Sequence, residues 1–145
     1  MSRQYLLAWM VAVLLLLSAC SESDDAGKVS ETQKYYLLES LNLVEQAGRT
    51  LQASDLTEAS IQQALETMDR GLKLAFQVET GFLDNLDVRL GKNYQRYFVK
   101  GVENYRLGIE AADRAQQQQG LEQLGQWAEF WSAEQSAIKV KLQSQ

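Results

Sequence analysis

The sequence predicts an all-α protein whose main domain is an antiparallel up-down-up-down four-helix bundle. Three observations favour this fold. The 145 residues include no proline and only nine glycines, so few positions interrupt a helix. Hydrophobic residues make up 46% and charged residues 23%, which is typical of a globular protein. In four segments of similar length, apolar residues recur at steps of three and four, the period of an amphipathic helix.

The first 19 residues have the pattern of a secretory signal peptide. Arg3 supplies a positive start, an apolar run extends from Tyr5 to Leu17, and the small residues Ser18 and Ala19 follow. An uncleaved membrane span is the alternative. A span needs about 20 apolar residues, and this run is shorter and leads into a polar stretch. The pattern therefore predicts a cleaved signal peptide over residues 1–19.

Leu17-Ser18-Ala19-Cys20 resembles the lipobox of bacterial lipoproteins, in which an aliphatic residue and two small residues precede a cysteine. The resemblance implies cleavage between Ala19 and Cys20, diacylglycerol on the Cys20 sulfur, and acylation of the new amino terminus. Two or three acyl chains hold a protein stably on a bilayer. In Gram-negative lipoproteins an aspartate after the cysteine favours the inner membrane. Ser21 stands there, so the resemblance favours the outer membrane, with the domain facing the periplasm.

Residues 20–29 are expected to join the anchor to the domain. After Cys20 the chain is small, polar and acidic as far as Val29, a composition typical of a flexible tether. The predicted domains are thus a signal peptide over 1–19, a lipidated tether over 20–29 and a helical bundle over 30–145.

The first two helices follow from their caps and their apolar stripes. Ser30 and Gln33 fit a capping box, which predicts a helix over 31–52. Asp55 and Glu58 are the predicted cap of the second helix. The two stripes are Leu37, Leu41, Val44, Gly48 and Leu51, and then Ile61, Leu65, Met68, Leu72, Ala75 and Phe76.

The boundary between the second and third helices is open, because either Gly81 or Gly91 fits a glycine C-cap. We place it in the region 81–87. The third stripe is Leu90, Tyr94, Phe98, Gly101, Tyr105, Ile109 and Ala112, and its last turn is expected at Gln116–Gly120. The fourth stripe is Leu121, Leu124, Ala128, Trp131, Ile138 and Leu142. Short connections predict antiparallel neighbours.

The composition disfavours most kinds of catalysis and cofactor binding. The chain has no histidine and one cysteine, so the usual haem, di-metal and nucleophilic sites lack a member. We expect no enzyme activity, no cofactor, and no haem or metal. The net charge is −5, and −6 once Arg3 leaves with the leader, which disfavours nucleic acid as a partner. Asp84 and Asp87 fit helix caps better than a calcium loop.

Four basic residues, Arg89, Lys92, Arg96 and Lys100, recur at steps of three and four on the third helix. They are expected to share one face, turned away from Tyr94 and Phe98. Such a face suits anionic lipid headgroups or an acidic partner. A solvated face that pairs with Glu103 is the more common structure for a charge run, and it stays an alternative.

Three aromatic residues, Trp127, Phe130 and Trp131, fall within one stretch of the fourth helix. Trp131 lies in the apolar stripe and Trp127 at its edge. Phe130 lies about 120° from the stripe centre, so it is a candidate contact residue. Leu74 and Leu107 also lie off their stripes.

The sequence as a whole favours a non-enzymatic interaction or adaptor module, held on the membrane by the acyl chains of Cys20 and bound to another envelope protein. The alternative is a small-ligand or lipid-binding helical bundle with an aromatic-lined cavity. An apolar pocket of a few hundred Å³ would favour ligand binding, and a tightly filled core would favour the adaptor.

Overall fold

The computed structural model describes residues 22–145. These residues form seven elements of secondary structure, all of them helical. The signal peptide, the lipobox and Cys20 lie outside the described residues. The chain divides into two units, Met1–Thr32 and Gln33–Gln145. In the first unit, residues 22–32 are helical. All contacts discussed below lie within the second unit. Within residues 22–145, no helix is both long and apolar enough to cross a membrane.

The elements are α1 (Glu22–Leu51), α2 (Glu58–Ala75), α3 (Thr80–Leu86), α4 (Leu90–Asn93), a π-helical turn π1 (Tyr94–Val99), α5 (Lys100–Glu110) and α6 (Arg114–Ser144). The segments α4, π1 and α5 follow one another without a break, so residues 90–110 form one continuous helical stretch. The prediction of an all-helical protein is confirmed for residues 22–145.

The first helix begins earlier than predicted. It starts at Glu22, so residues 22–29 are helical and not coil, and Ser30 lies inside the helix and does not cap it. The residue types explain the earlier start. Residues 22–29 include no proline, so the backbone of a helix can continue through them toward the amino terminus.

The second helix is capped by Thr57, and the predicted cap at Asp55 and Glu58 is wrong. The Ser60 backbone N–H donates to the Thr57 hydroxyl at 3.1 Å, and the Thr57 N–H donates to the Ser60 hydroxyl at 2.9 Å. This helix ends at Ala75, before either predicted glycine. Gly81 instead lies in α3, and Gly91 lies in α4.

The last turn predicted at Gln116–Gly120 is also wrong, because those residues belong to α6. The chain turns at 111–113, where Ala112 has a φ of 54°. The Asp113 carboxylate caps α6 by accepting from the N–H groups of Ala115 at 2.9 Å and Gln116 at 3.1 Å. Two capping hydrogen bonds therefore fix the start of α6 at Arg114.

Tyr94 lies at the centre of the core. Its ring stacks on Phe98, with centroids 5.0 Å apart, and meets the edge of Trp127 at 5.7 Å. Its hydroxyl lies 2.7 Å from the Ser40 hydroxyl, and burial raises the pKa of the Tyr94 hydroxyl. Half of the predicted stripe positions are buried, among them Leu37, Val44, Met68, Leu72, Leu90, Ile138 and Leu142.

Several stripe predictions are wrong. Phe76 is 58% exposed and Leu121 is 47% exposed, whereas Val99 and Val102 are buried without belonging to the predicted stripe. Val99 lies in the wider turn of π1, and Val102 follows the buried Phe98 at the four-residue step of a helix.

Candidate functional site

A groove of about 540 Å³ lies beside the end of α2, the short helix α3, and the stretch 88–100. Three of its lining residues are basic, Lys92, Arg96 and Lys100, and two are exposed apolar residues, Phe76 and Val88. We call it the basic groove. It combines positive charge with exposed apolar surface, although the chain as a whole is acidic.

Gly91 forms part of the wall of the basic groove and brings α4 close to α3. The Gly91 N–H donates to Asp84 Oδ1 at 3.2 Å. A Cβ at this position would lie 2.8 Å from Thr80 Cγ2 and would also meet the Asp84 carboxylate. Glycine here therefore permits a close approach of two helices, and it does not mark a helix end.

The π-helical turn aligns the basic side chains. The Lys100 N–H reaches back to the Gln95 carbonyl, an i to i+5 bond that places more residues in one turn than an α-helix does. Residues four apart then fall on nearly one face. The stacked rings of Tyr94 and Phe98 have this spacing on the buried side, and Lys92, Arg96 and Lys100 have it in the groove.

Two of the three cations of the groove have no acidic partner. Within the described residues, neither Lys92 nor Arg96 forms an ion pair. The Arg96 guanidinium lies 5.4 Å from the centroid of the Tyr97 ring, and the Lys100 ammonium pairs with Glu103 at 2.6 Å. The groove also contains the carboxylate of Asp84, which is bonded to the Gly91 N–H. Positive charge is in excess there.

The apolar rim of the basic groove consists of Phe76 and Val88, whose side chains are not buried in the core. Phe76 is 58% exposed and Val88 is 83% exposed. Phe76 fits the stripe of the second helix in the sequence, so it was expected in the core. Phe76 is the C-cap residue directly after α2, and more than half of its surface stays exposed. Val88 carries one sequence signal, an isolated apolar residue between Asp87 and Arg89 in a connection.

Arg89 does not join the other three basic residues. Its guanidinium donates to both Asp87 oxygens at 3.2 Å and pairs with Glu134 at 2.8 Å. It also lies 5.6 Å from the centroid of the Phe130 ring. The hydrogen bonds from Arg89 hold the pKa of Asp87 below its usual value. The predicted face of four cations is therefore a groove with three, and Arg89 belongs to a separate ion-pair cluster.

Phe130 lies at the edge of an aromatic cluster. Its ring is 5.8 Å from that of Trp127, which in turn stacks on Trp131 at 5.4 Å. Phe130 is half-buried and is covered on one side by Arg89. Its role as a contact residue stays a prediction, and the structure places it apart from the basic groove.

A second groove, of about 290 Å³, lies beside this cluster. Its apolar walls come from α1, π1 and α6, and the apolar residues that line it are Leu41, Val44, Phe98, Leu124, Trp127, Ala128 and Trp131. Glu45, Ser132 and Gln135 stand at its polar rim. We call it the aromatic groove. It has the composition of a small-molecule site, with an apolar wall and few polar groups.

The comparisons with known proteins give no further guidance. No family model, no curated protein and no solved structure matches this chain. In the described part of the chain, no three His, Cys, Asp or Glu side chains are gathered in a way that would hold a metal ion. The residues that line the basic groove and the aromatic groove are therefore the evidence for the function.

Proposed function

We propose that this protein is a bacterial envelope lipoprotein, anchored by acyl chains on Cys20, whose helical domain is a non-enzymatic interaction module. The outer membrane is the favoured location, with the domain facing the periplasm. The observation that carries the proposal is the basic groove, in which unpaired cations lie beside exposed apolar side chains. Such a surface suits an anionic component of the envelope.

The chemistry of the groove suits binding better than catalysis. Lysine and arginine are charged at neutral pH, so they attract anions but do not accept protons. Asp84 is the carboxylate of the groove, and its Oδ1 already accepts the Gly91 N–H. Within residues 22–145, the lining of the groove offers no second carboxylate to act as an acid-base partner, and the chain has no histidine. We therefore propose no reaction at this site.

The proposed scaffold is an antiparallel up-down-up-down four-helix bundle, and contacts between neighbouring helices support it. Gln33 bonds the connection at 77–79, while Ser40 and Val44 lie beside Gly71. Residue numbers therefore increase along α1 in the direction in which they decrease along α2, as expected for an antiparallel pair.

The same relation holds between α5 and α6. There Gly101 faces Leu124, Tyr105 faces Gly120 and Gly108 faces Gln117. Antiparallel packing of this kind is expected for helices joined by short connections.

Site-specific photo-crosslinking in living cells tests the interaction module. A photo-reactive residue at Arg96 is expected to capture a recurring adduct, because it lies in the groove. The matched control is a probe at Leu56, which is 43% exposed and lies in the connection before α2. An 18-residue helix separates the two ends of α2 by about 27 Å, so the control samples a distant surface. Equal adducts at both positions would contradict the proposal.

The aromatic groove supports a second candidate, a small-ligand or lipid-binding function. It offers an apolar wall of about 290 Å³ that includes Trp127 and Trp131. With the leader and its Trp9 removed, these are the remaining tryptophans of the chain. Their fluorescence therefore reports directly on this groove.

Titration with a medium-chain fatty acid tests the second candidate. A saturable change in tryptophan emission is expected if the groove takes an apolar chain. Ala128 is exposed and lines the groove, so Ala128→Phe is expected to fill it and abolish the change without loss of folding. An emission that stays constant up to the solubility limit of the fatty acid rejects this candidate.

A further inference from the structure

We infer that the basic groove is a membrane-docking surface, which places the domain flat against the same bilayer that holds Cys20. Lys92 and Arg96 bind the phosphates of anionic phospholipids, and Phe76 and Val88 enter the boundary between headgroups and acyl chains. The inference rests on the proposed anchor at Cys20. It names the anionic envelope component that the groove recognises.

The position of the groove along the chain is the first argument. Gln33 donates from Nε2 to the Gln77 carbonyl at 3.2 Å, and its Oε1 accepts the Glu79 N–H at 2.7 Å. These bonds hold the connection that carries Phe76 beside Gln33. The thirteen residue-to-residue steps from Cys20 to Gln33 extend at most about 45 Å, and less where the chain is helical. The groove therefore lies within reach of the anchoring bilayer.

The charge of the groove is the second argument. The whole chain is acidic, with a net charge of −5, and an anionic bilayer repels such a protein in general. Lys92 and Arg96 concentrate positive charge locally, because both line one groove and neither is neutralised by a carboxylate of the described residues. Cations near an anionic membrane surface gain free energy individually, so two of them are enough to orient an anchored domain.

The apolar rim is the third argument, and it distinguishes a bilayer from a free phosphate. A small anion needs charge and hydrogen-bond donors but gains nothing from Phe76 and Val88. At a bilayer surface, apolar side chains enter the interface while the stems of lysine and arginine keep their charges at headgroup level. Exposed apolar groups beside free cations match that interface.

The experiment uses the lipidated protein in vesicles and a single fluorescent label. Cys20 is the one cysteine of the chain, so its acylation leaves no competing thiol. An environment-sensitive dye on Val88→Cys is expected to shift to shorter wavelength in vesicles that contain phosphatidylglycerol. In vesicles of phosphatidylcholine alone, no shift is expected. Leu56→Cys, at the other end of α2, is the matched control and stays unshifted in both.

Charge variants identify the cations responsible. The pair Lys92→Gln and Arg96→Gln is expected to weaken docking by roughly tenfold to thirtyfold, measured as the amount of phosphatidylglycerol needed for half of the shift. The control is Arg89→Gln, which removes one charge outside the groove and leaves the shift in place. Circular dichroism of each variant shows that it is folded.

Several results would overturn the inference. These are the absence of a shift at position 88, an equal shift in both kinds of vesicle, or a shift that survives loss of Lys92 and Arg96. The mass of the N-terminal peptide shows separately whether Cys20 is acylated. Acylation without docking refutes the inference and leaves the proposed lipoprotein intact, and a protein adduct at Arg96 then assigns the groove to an acidic protein. An unmodified Cys20 refutes both.

Discussion

At the scale of single residues, the core contains one buried polar pair whose direction of donation can be assigned. The Ser40 hydroxyl donates its proton to the Leu37 carbonyl at 2.8 Å. The Tyr94 hydroxyl, 2.7 Å from Ser40 Oγ, must then be the donor in the second bond. Both side chains have no exposed surface. The Tyr94 hydroxyl therefore depends on Ser40 for its hydrogen-bond acceptor. The Ser40 hydroxyl already donates to the Leu37 carbonyl, so it does not depend on Tyr94.

This asymmetry predicts that Ser40→Ala destabilises the protein more than Tyr94→Phe does. Ser40→Ala leaves a buried hydroxyl without an acceptor, which costs about 1 to 3 kcal/mol. Tyr94→Phe removes one hydrogen bond but leaves Ser40 bonded to Leu37, so its cost is about 1 kcal/mol. Urea unfolding followed by circular dichroism measures both. The double variant is expected to be more stable than Ser40→Ala alone, and simple additivity would refute the assignment.

Tyr94 also shows what the sequence predicts at this scale. Its place in an apolar stripe correctly predicts a buried ring. The identity of its partner does not follow from the sequence, because Ser40 lies 54 residues away and the pairing depends on how two helices align. The exposure of Phe76 does not follow from its stripe position either, because this residue directly follows the last residue of α2 and more than half of its surface stays uncovered.

At the scale of the elements, the contact between α5 and α6 depends on glycine. A Cβ on Gly120 would lie 2.7 Å from the Tyr105 Cα and would also meet its backbone nitrogen. Backbone atoms cannot move aside as the end of a flexible side chain can. The two helices therefore touch through their main chains at this point.

We predict that Gly120→Ala destabilises the protein by about 1 to 3 kcal/mol, the usual cost of forcing extra volume into a packed contact. Gly125→Ala is the matched control in the same helix, because no atom lies within 4 Å of its Cβ position. That variant is expected to gain roughly 0.5 to 1 kcal/mol from the higher helix propensity of alanine. Thermal unfolding measures both changes, and a loss of stability in both variants would show that local flexibility, and not packing, requires glycine.

The same glycines explain why the helix boundaries differ from the predictions. Glycine in a helical pattern usually indicates an end, so Gln116–Gly120 was predicted as a last turn and Gly81 or Gly91 as a boundary. Gly91 and Gly120 instead permit close contacts with residues distant in sequence, Thr80 and Tyr105. A local pattern cannot separate a capping glycine from a packing glycine, because the difference lies in the partner. Asp113 is the real cap, and its signal was weaker than that of glycine.

At the scale of the whole molecule, the sequence predicts part of the candidate site. Helical spacing correctly groups Lys92, Arg96 and Lys100. It wrongly adds Arg89, because the sequence does not reveal the acidic partner Glu134, which comes from another helix. Spacing also says nothing of Val88, whose exposure depends on the connection between α3 and α4.

Arg89 differs from Lys92 and Arg96 in its ion pairs. A basic face that only keeps a helix soluble is expected to pair with nearby acids, as Arg89 does with Asp87 and Glu134. Lys92 and Arg96 instead lie four residues apart without an acidic partner among the described residues, and like charges at this spacing repel. Residues kept at some cost to stability are typical of functional surfaces.

This reasoning predicts that two equal changes of charge have different effects on stability. Lys92→Gln is expected to leave the urea midpoint unchanged or slightly raised, by at most a few tenths of a kcal/mol at low salt, because it removes a repulsion with Arg96. Arg89→Gln is expected to lower the midpoint, since it breaks the contacts with Asp87, Glu134 and the Phe130 ring. Added salt should reduce both effects. If Lys92→Gln destabilised the protein as much as Arg89→Gln, the cations of the groove would serve the fold, and the solvated face would be the better explanation.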